Sequence, residues 1–374
     1  MKLSKVMALG IFGCAALGFA GHLAGCSSTE TTTTPTTTGG QPPAKPTAGA
    51  TTSTDEITFA LNSLSLGDAD RAGTASNSAW KGYGFNLDKK ATDSKAKDVC
   101  TLQPGAGSSV QVDGTNGIDN SFGANILPIV INAAGLSSPS KTVSDSLTKG
   151  SFTILMNIKG LSADAKQTNT GLTGQLFAGG AYDAVGMTTP AFDSTTDWPV
   201  RPELLNDGKT VASGSKVRFS DAYVVGGTFV NGSASKVTLS LAFGGVSLDL
   251  TINQAVITFD HSAPGAATNG TIAGVLDTEE LINGLKKVAG RISPSLCSGS
   301  TFDGIASQIR GASDIMSDGN NAAGSNCNGI SVGLGFTAKQ IKNPSKVADL
   351  GAASPDPCAA PPGDAGAPTD AGKD

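Results

Sequence analysis

The chain has 374 residues, of which 39% are hydrophobic, 15% are charged and 49 are glycine. This length suffices for one large domain or for two packed units. With 26 basic and 31 acidic residues the formal net charge is −5, which argues against nucleic-acid binding, because that depends on Lys and Arg neutralising phosphates.

The first 25 residues have the three parts of a secretory signal. Lys2 and Lys5 form a positive n-region, residues 6–20 are almost all apolar or small, and Ala24 and Gly25 precede Cys26. The apolar run is shorter than the ~20 residues that a membrane-spanning helix needs. The segment therefore predicts export and removal of the signal.

The end of this signal, Leu23-Ala24-Gly25-Cys26, resembles the lipobox of bacterial lipoproteins. The resemblance implies cleavage before Cys26, attachment of palmitate or similar chains to it, and stable retention in the membrane. Ser27 follows in place of aspartate, which favours the outer membrane, with the protein facing the periplasm or the surface. The alternative is an ordinary secreted protein in which Cys26 is incidental.

Two segments of low complexity flank the body. Residues 26–55 are rich in Thr, Pro, Gly, Ser and Ala and are predicted to form a disordered linker, because they contain almost no large apolar residue to bury. Residues 349–374 are rich in Ala, Pro, Gly and Asp and are predicted to form a disordered tail. Residues 56–348 form the predicted globular body.

Alternating apolar residues along the body predict half-buried strands. The pattern runs through residues 57–66, 152–158, 237–243, 246–252, 255–259 and 330–336. Gly244-Gly245 predicts a tight hairpin, because glycine adopts the positive φ that such a turn requires. Many short antiparallel strands with late helices predict a mostly β fold, an antiparallel β-sandwich or jelly-roll-like body.

Trp80, Tyr83, Phe85 and Trp198 are candidates for a sugar-stacking platform. Burial is the favoured interpretation, because such rings pack cores well.

The segment from Asp113 to Asn120 carries a dense set of oxygen ligands. Asp113, Asn116, Asp119 and Asn120 could wrap a Ca²⁺, which prefers carboxylate, amide and carbonyl oxygens. Their spacing does not match an EF-hand loop, so a turn whose side chains bond their own backbone is favoured. Calcium is the one candidate cofactor.

Candidate catalytic residues are few. His261 is the only histidine outside the signal, so a two-His zinc site is excluded and any Ser–His or Cys–His catalyst must use it. Its place at a strand end favours a turn or surface position, and no Gly-x-Ser-x-Gly motif supplies a nucleophile. Two aspartates facing a cleft would suit a polysaccharide hydrolase, but the sequence does not identify the pair.

Two helices are predicted in the C-terminal half. Residues 277–292 begin with Asp277-Thr278-Glu279-Glu280, which places acids at the positive end of the helix dipole. A second helix from Thr301, with Gly319 as a stop, carries one apolar stripe. We expect both apolar faces to pack on the core.

Four further cysteines remain in the exported chain: Cys100, Cys297, Cys327 and Cys358. They predict two disulfides, for which three pairings exist. Cys297 with Cys327 is favoured because the two bracket the second helix, and Cys100 with Cys358 then ties the tail to the body. Zinc binding is disfavoured because the spacings lack a C-x-x-C pair.

Parts of the body resemble uncharacterised lipoproteins of the myxobacterial cell envelope. The resemblance is carried by Tyr83-Gly84-Phe85-Asn86-Leu87-Asp88, Cys100, Gly117-Ile118-Asp119-Asn120-Ser121-Phe122-Gly123, Ala312-Ser313-Asp314-Ile315-Met316-Ser317-Asp318-Gly319 and Ile330-Ser331-Val332-Gly333-Leu334-Gly335-Phe336. It spans most of the body and implies a location in the envelope, but no activity.

The sequence thus predicts a non-enzymatic, lipid-anchored protein of the cell envelope. It would contact the membrane through its lipid and bind or display a glycan or another envelope protein. The second hypothesis is a polysaccharide hydrolase with two catalytic Asp carboxylates. A cleft that holds two aspartates within catalytic reach would favour the hydrolase.

Overall fold

The computed structural model describes residues 40–47, 53–104, 110–135, 137–164, 166–182, 186, 189–233, 235–243, 246–263, 265–292, 297–349 and 358. All of them belong to one compact unit, Pro35–Asp374. The predicted signal, Cys26, and most of the predicted linker and tail lie outside the described residues.

Nine strands and four α-helices are present in this part of the chain. In chain order they are β1 (Glu56–Ser65), α1 (Leu127–Ala134), α2 (Pro139–Thr148), β2 (Thr153–Lys159), β3 (Asn169–Gly179), β4 (Val217–Val225), β5 (Thr228–Val230), β6 (Ser235–Phe243), β7 (Val246–Ala263), β8 (Ala266–Asp277), α3 (Thr278–Ile292), α4 (Ser300–Gly311) and β9 (Gly329–Ile341).

The strands form one antiparallel sheet in the order β5-β4-β3-β2-β1-β9-β8-β7-β6, and β5 also pairs with β7. This extra pairing closes eight strands into a barrel, which leaves β6 outside the ring. The long strand β7 has two partners along one edge: β6 pairs with its first half and β5 with Thr258–Asp260.

The mostly β class is therefore confirmed, but the expected sandwich or jelly roll is wrong. The physical reason is the closing strand. Alternation of apolar residues shows that a strand is half-buried, but it does not show which edges meet. Here the edges meet through β5, which has three residues and is too short to produce a periodic signal.

The barrel interior is an apolar core built from the alternating residues of these strands. At its centre Phe259 contacts Phe59 at 5.3 Å and Phe229 at 4.8 Å between ring centroids. All three rings are fully buried or nearly so. Each ring faces the interior because successive side chains of a strand point to opposite faces of the sheet.

Both predicted helices are present as α3 and α4. Asp277 caps α3 by accepting hydrogen bonds from the backbone N–H groups of Glu279 and Glu280 at 3.0 and 2.9 Å. The second helix ends at Gly311, eight residues before the predicted stop at Gly319. The Arg310 guanidinium donates from Nε and Nη2 to the two carboxylate oxygens of Glu279, at 2.6 and 2.8 Å, and this bidentate pair joins α4 to α3.

Two further helices, α1 and α2, were not predicted. The sequence of α1, LPIVINAA, is rich in β-branched residues, and that of α2, PSKTVSDSLT, is rich in Ser and Thr. Neither composition favours a helix in isolation. Tertiary packing overrides it, because Val143 and Leu147 of α2 are completely buried in the core.

Two long connections cover the outside of the barrel. Residues 180–216 place Tyr182, Trp198, Val200 and Leu205 over the outward-facing Ala60, Leu155 and Phe177. The connection after β1 lays Tyr83 across β9. A Cβ at Gly333 or Gly335 would come within 2.2 Å of Tyr83, so glycine is required at both positions.

The two disulfides are Cys100–Cys327 and Cys297–Cys358. All four predicted cysteines are cross-linked, but the favoured pairing is wrong. Residues 101 and 326 form a parallel β-bridge, and Cys327 N donates to Thr101 O at 2.8 Å, which brings Cys100 beside Cys327. This contact joins residues more than 200 apart, so sequence proximity gave no sign of it.

Part of the segment assigned to the linker contacts the body. Gly40 O accepts a hydrogen bond from Asn86 N at 2.5 Å, and Tyr223 Oη donates to Pro43 O at 2.5 Å. Lys45 forms an ion pair with Asp221.

Candidate functional site

A groove runs over the outside of β1, β2, β3 and β4. It consists of two adjoining cavities of about 560 and 270 Å³ that share Asn157, Lys159 and Gln175. We call it the polar groove. Its floor is formed by Glu56, Asn157, Lys159, Gln175 and Arg218, and its walls by residues 209–214 and 343–347.

Strand register builds the floor. Thr58 is opposite Asn157, Asn157 is opposite Gln175, and Gln175 is opposite Arg218. Their neighbours along the strands, such as Ile158 and Leu176, face the barrel interior, so these four side chains face outward. The fold therefore places a row of four polar side chains across four strands.

Hydrogen bonds fix the orientation of this row. Asn157 Nδ2 donates to Thr58 Oγ1 at 3.0 Å and to Glu56 Oε1 at 2.9 Å. Gln175 Nε2 donates to Asn157 Oδ1 at 3.0 Å, and Gln175 Oε1 accepts from Ser215 N at 3.0 Å. Both amides are therefore held by their neighbours before any ligand arrives.

The charged groups of the groove are more exposed. Lys159 Nζ lies 3.4 Å from Glu56 Oε2, and the two side chains are 61% and 35% exposed. Arg218 Nε donates to Ser215 O at 2.9 Å. Gly214 has φ +76°, and a Cβ there would come within 2.5 Å of Arg218 Nη2, so glycine leaves room for the guanidinium.

A second polar region lies outside the barrel beside β9. We call Asp88, Asp113, Asp119 and Asp314 the acidic cluster. Asp119 Oδ2 accepts from Leu87 N at 2.6 Å, Asp113 Oδ2 from Thr92 N at 2.5 Å, and Asp314 Oδ1 from Ser331 N at 2.8 Å. Asp113 and Asp119 thus satisfy backbone donors of loops, and Asp314 satisfies a backbone donor of β9.

Burial and the repulsion between carboxylates raise the pKa values of Asp113, Asp119 and Asp314. Burial, and then the charges of Asp314, Asp88 and Asp113, raise the pKa of Asp119 to about 9. Burial is also the main cause that raises the pKa of Asp314 to about 7 and that of Asp113 to about 6. The cluster therefore retains protons near neutral pH.

The structure brings together two of the four predicted calcium ligands, Asp113 and Asp119. Asn116 is exposed, with φ 58°. Asn120 Oδ1 accepts from Gly123 N and Gly333 N at 3.0 Å, so its oxygen is already used. In the described part of the chain no three His, Cys, Asp or Glu residues are grouped so as to hold a metal.

Asn120 has instead a structural role on β9. Its Nδ2 also donates to Gly333 O at 3.1 Å, so its amide pairs with both backbone groups of Gly333 as another strand would. The β1–β9 pairing ends at Ser65 and Gly335. The Asn120 side chain thus takes the place of a neighbouring strand at Gly333 of β9, just beyond the end of the β1–β9 pairing.

His261 lies at the end of β7, as expected, but it is not on the surface. It is 1% exposed, its Nδ1 is 3.2 Å from Ala266 O, and its ring meets the Phe59 ring at 5.6 Å between centroids. A buried histidine in an aromatic core is a packing residue, and this position does not support catalysis.

The aromatic residues do not form an exposed platform. Tyr83, Phe85 and Trp198 are buried, and Trp198 Nε1 donates to Gly180 O at 2.8 Å. Trp80 is half-buried and has Lys81 Nζ 5.6 Å from its ring centroid. The interpretation that these rings are mainly core residues is confirmed.

Sequence reasoning missed the row of Thr58, Asn157, Gln175 and Arg218 as well as Asp88 and Asp314. The row had one readable signal, polar residues at the outward positions of alternating strands. Only the strand order and register show that these positions are neighbours.

Comparison with known proteins gives no relative: no family model, no curated protein and no solved structure matches this chain. Within the described residues no helix combines the length and the apolar character needed to cross a membrane.

Proposed function

We propose that this chain is a lipid-anchored protein of the outer membrane whose barrel binds a hydroxyl-rich ligand, a glycan, in the polar groove without catalysing its turnover. The observation that carries the proposal is the hydrogen-bonded row of Asn157 and Gln175 on the groove floor. The anchoring part rests on the lipobox-like sequence that ends at Cys26.

The groove has the chemistry of a polar small-molecule site. Its volume of about 560 Å³ lies in the range of ligand pockets. Val211, Pro344 and Val347 in the walls supply apolar surface for the C–H faces of a sugar ring, while the floor supplies amides. Because the amides are oriented in advance, little conformational entropy is lost on binding.

Binding is favoured over hydrolysis because of the carboxylates. Glu56 is the single carboxylate among the described residues that line the groove. A glycosidase needs two carboxyl groups on either side of one bond. Asp113 and Asp119 share a side-chain hydrogen bond, but they lie in the acidic cluster and not in the groove, and Asp119 is 3% exposed.

The binding proposal is tested by titrating the full chain in detergent against a panel of neutral and acidic oligosaccharides by calorimetry. We expect micromolar to millimolar binding that weakens at least fivefold in Gln175→Ala. Gln340→Ala, which changes an amide on β9 outside the groove, is the control. The same samples are assayed for released reducing ends, and turnover would replace binding by the hydrolase hypothesis.

The anchoring proposal is tested with Cys26→Ala. We expect the unaltered protein to incorporate labelled palmitate and to sediment with outer membranes, and the variant to do neither. Mass spectrometry that finds an unacylated N-terminus on the native protein would contradict the anchor and leave the groove proposal standing.

A further inference from the structure

We infer that the polar groove selects an acidic saccharide, a sugar that carries a carboxylate. This inference rests on the proposed function and names the class of ligand. It follows from the net charge of the residues that line the groove, which is positive, whereas the net charge of the whole chain is negative.

Three cations and one carboxylate line the groove. The cations are Lys159, Lys209 and Arg218, and the carboxylate is Glu56. The chain itself carries a net charge of −5, so a cationic groove on this background is a local feature. Clefts lined by one sign of charge concentrate ligands of the opposite sign.

The position of the Arg218 guanidinium on the floor is fixed by its neighbours. Arg218 is placed by its register opposite Gln175, and its Nε and Nη2 donate to Ser215 O and Ser213 O at 2.9 and 3.3 Å. Gly214 leaves the space that the guanidinium occupies. A guanidinium held in this way offers its remaining N–H groups to a carboxylate with a defined geometry.

Lys159 adds a second cation on the same floor. It is only loosely paired with Glu56, at 3.4 Å and 61% side-chain exposure. A ligand carboxylate can therefore pair with Lys159 beside Glu56, because no buried ion pair has to be broken to make room for it. The amides of Asn157 and Gln175 line both cavities together with Lys159, and Gln175 is opposite Arg218, so sugar hydroxyls in the groove would contact amides beside these two cations.

The test compares each acidic sugar with its own uncharged form. Oligomers of galacturonate and of glucuronate are titrated into the full chain beside their fully methyl-esterified counterparts. At 20 mM salt we expect the acids to bind at least tenfold more tightly than the esters. At 0.5 M salt we expect the ratio to fall below threefold, since exposed charges are screened.

The variant Lys159→Gln/Arg218→Gln is expected to abolish the preference for acids and to retain binding of the esters. Lys149→Gln/Arg291→Gln removes the same charges outside the groove and is expected to retain the preference. Equal binding of acids and esters by the unaltered chain would overturn the inference and leave the proposed function intact. Preference that survives in the groove variant would also overturn it. Absence of all binding would contradict the proposed function itself.

Discussion

The acidic cluster and the polar groove are two polar regions on the outside of one barrel, and the fold treats them in opposite ways. In the cluster Asp119 is 3% exposed, and Asp88, Asp113 and Asp314 are half-buried. In the groove the ion pair of Lys159 and Glu56 is open to solvent, with side-chain exposures of 61% and 35%. Connecting segments of the chain cover the acidic cluster, whereas the polar groove is open to solvent.

The difference determines what each region can do. Carboxylates in a closed region need protons or donors to offset their lost hydration, so the cluster links the stability of the fold to pH. Charges in an open groove remain hydrated and contribute little to stability, so they are free to serve a ligand. The following experiments test this contrast, beginning with the largest expected effect.

Removal of the Cys100–Cys327 disulfide is expected to have the largest effect on stability. The cross-link spans 227 residues, and Cys100 N donates to Asn321 Oδ1, whose amide reaches Asp88 of the cluster. We expect Cys100→Ser/Cys327→Ser to lose roughly 5 kcal/mol of unfolding free energy. Guanidinium denaturation measures it.

The matched control is Cys297→Ser/Cys358→Ser, whose loop spans 61 residues and whose Cys358 Sγ lies 3.5 Å from Lys286 O of α3. A smaller loss is expected, because a shorter loop restricts the unfolded chain less. Equal or reversed losses would contradict the expected order of the two cross-links.

Asn120→Ala is expected to destabilise the fold by about 3 kcal/mol, because it removes the hydrogen bonds that Asn120 makes to both backbone groups of Gly333 and to Tyr83 O, all of them buried. Asn343→Ala is the matched change at the edge of the groove. Asn343 is exposed and accepts one bond from Thr58 at 2.8 Å, so we expect a loss below about 1 kcal/mol. Chemical denaturation of both variants tests the contrast, which fails if the two losses are alike.

The cluster predicts that stability falls as pH rises. Folding raises the pKa values of Asp113, Asp314 and Asp119 from 3.8 to about 6, 7 and 9. Between pH 4 and pH 9 the folded chain therefore holds more protons than the unfolded chain, and each step upward in pH removes stability. We expect a higher melting temperature at pH 5 than at pH 8.

Asp119→Asn tests the cause. The asparagine keeps a side-chain oxygen that can accept from Leu87 N, which lies 2.6 Å from Asp119 Oδ2, and it removes the negative charge. We expect a gain of about 2 kcal/mol at pH 8, little change at pH 5, and a flatter pH profile. If instead 1 mM calcium raises the melting temperature of the unaltered chain and EDTA lowers it, a cation rather than protons balances the cluster, and the calcium hypothesis gains its first support.

Strands β1, β2, β6, β7 and β9 and the C-terminal helices could be predicted because each carries its own periodic pattern, whereas β3, β4 and β8 were not predicted. The hairpin of β6 and β7, with Phe243 opposite Val246, follows from alternation on both sides of the two glycines. The helices α1 and α2 could not be predicted, because their local composition disfavours what packing imposes. Closure of the barrel depended on β5, whose pairing with β7 is a contact at long range.

The two polar regions show the same limit. Asp113 and Asp119 are six residues apart, and their proximity could be read from one segment. Asp314 joins them only because α4 returns the chain to the edge of β9, where Ser331 N donates to it at 2.8 Å. The groove needed the register of four strands. What sequence reveals here is local, and both sites are built from contacts between distant segments.

The smallest effect is expected from Glu56→Gln, the counterpart in the groove of Asp119→Asn. The change keeps the oxygen that accepts from Asn157 Nδ2 at 2.9 Å and removes a charge whose pairing with Lys159 is exposed. Exposed pairs contribute little, so we expect a change below about 0.5 kcal/mol at both pH 5 and pH 8. Thermal and chemical denaturation at the two pH values, beside Asp119→Asn, measure it. A carboxylate-to-amide change would then alter the pH dependence of stability in the closed region and leave it unaltered in the open one. If Glu56→Gln instead changed stability as strongly as Asp119→Asn does, the groove floor would be part of the structural core, and its polar row would be explained by folding rather than by a ligand.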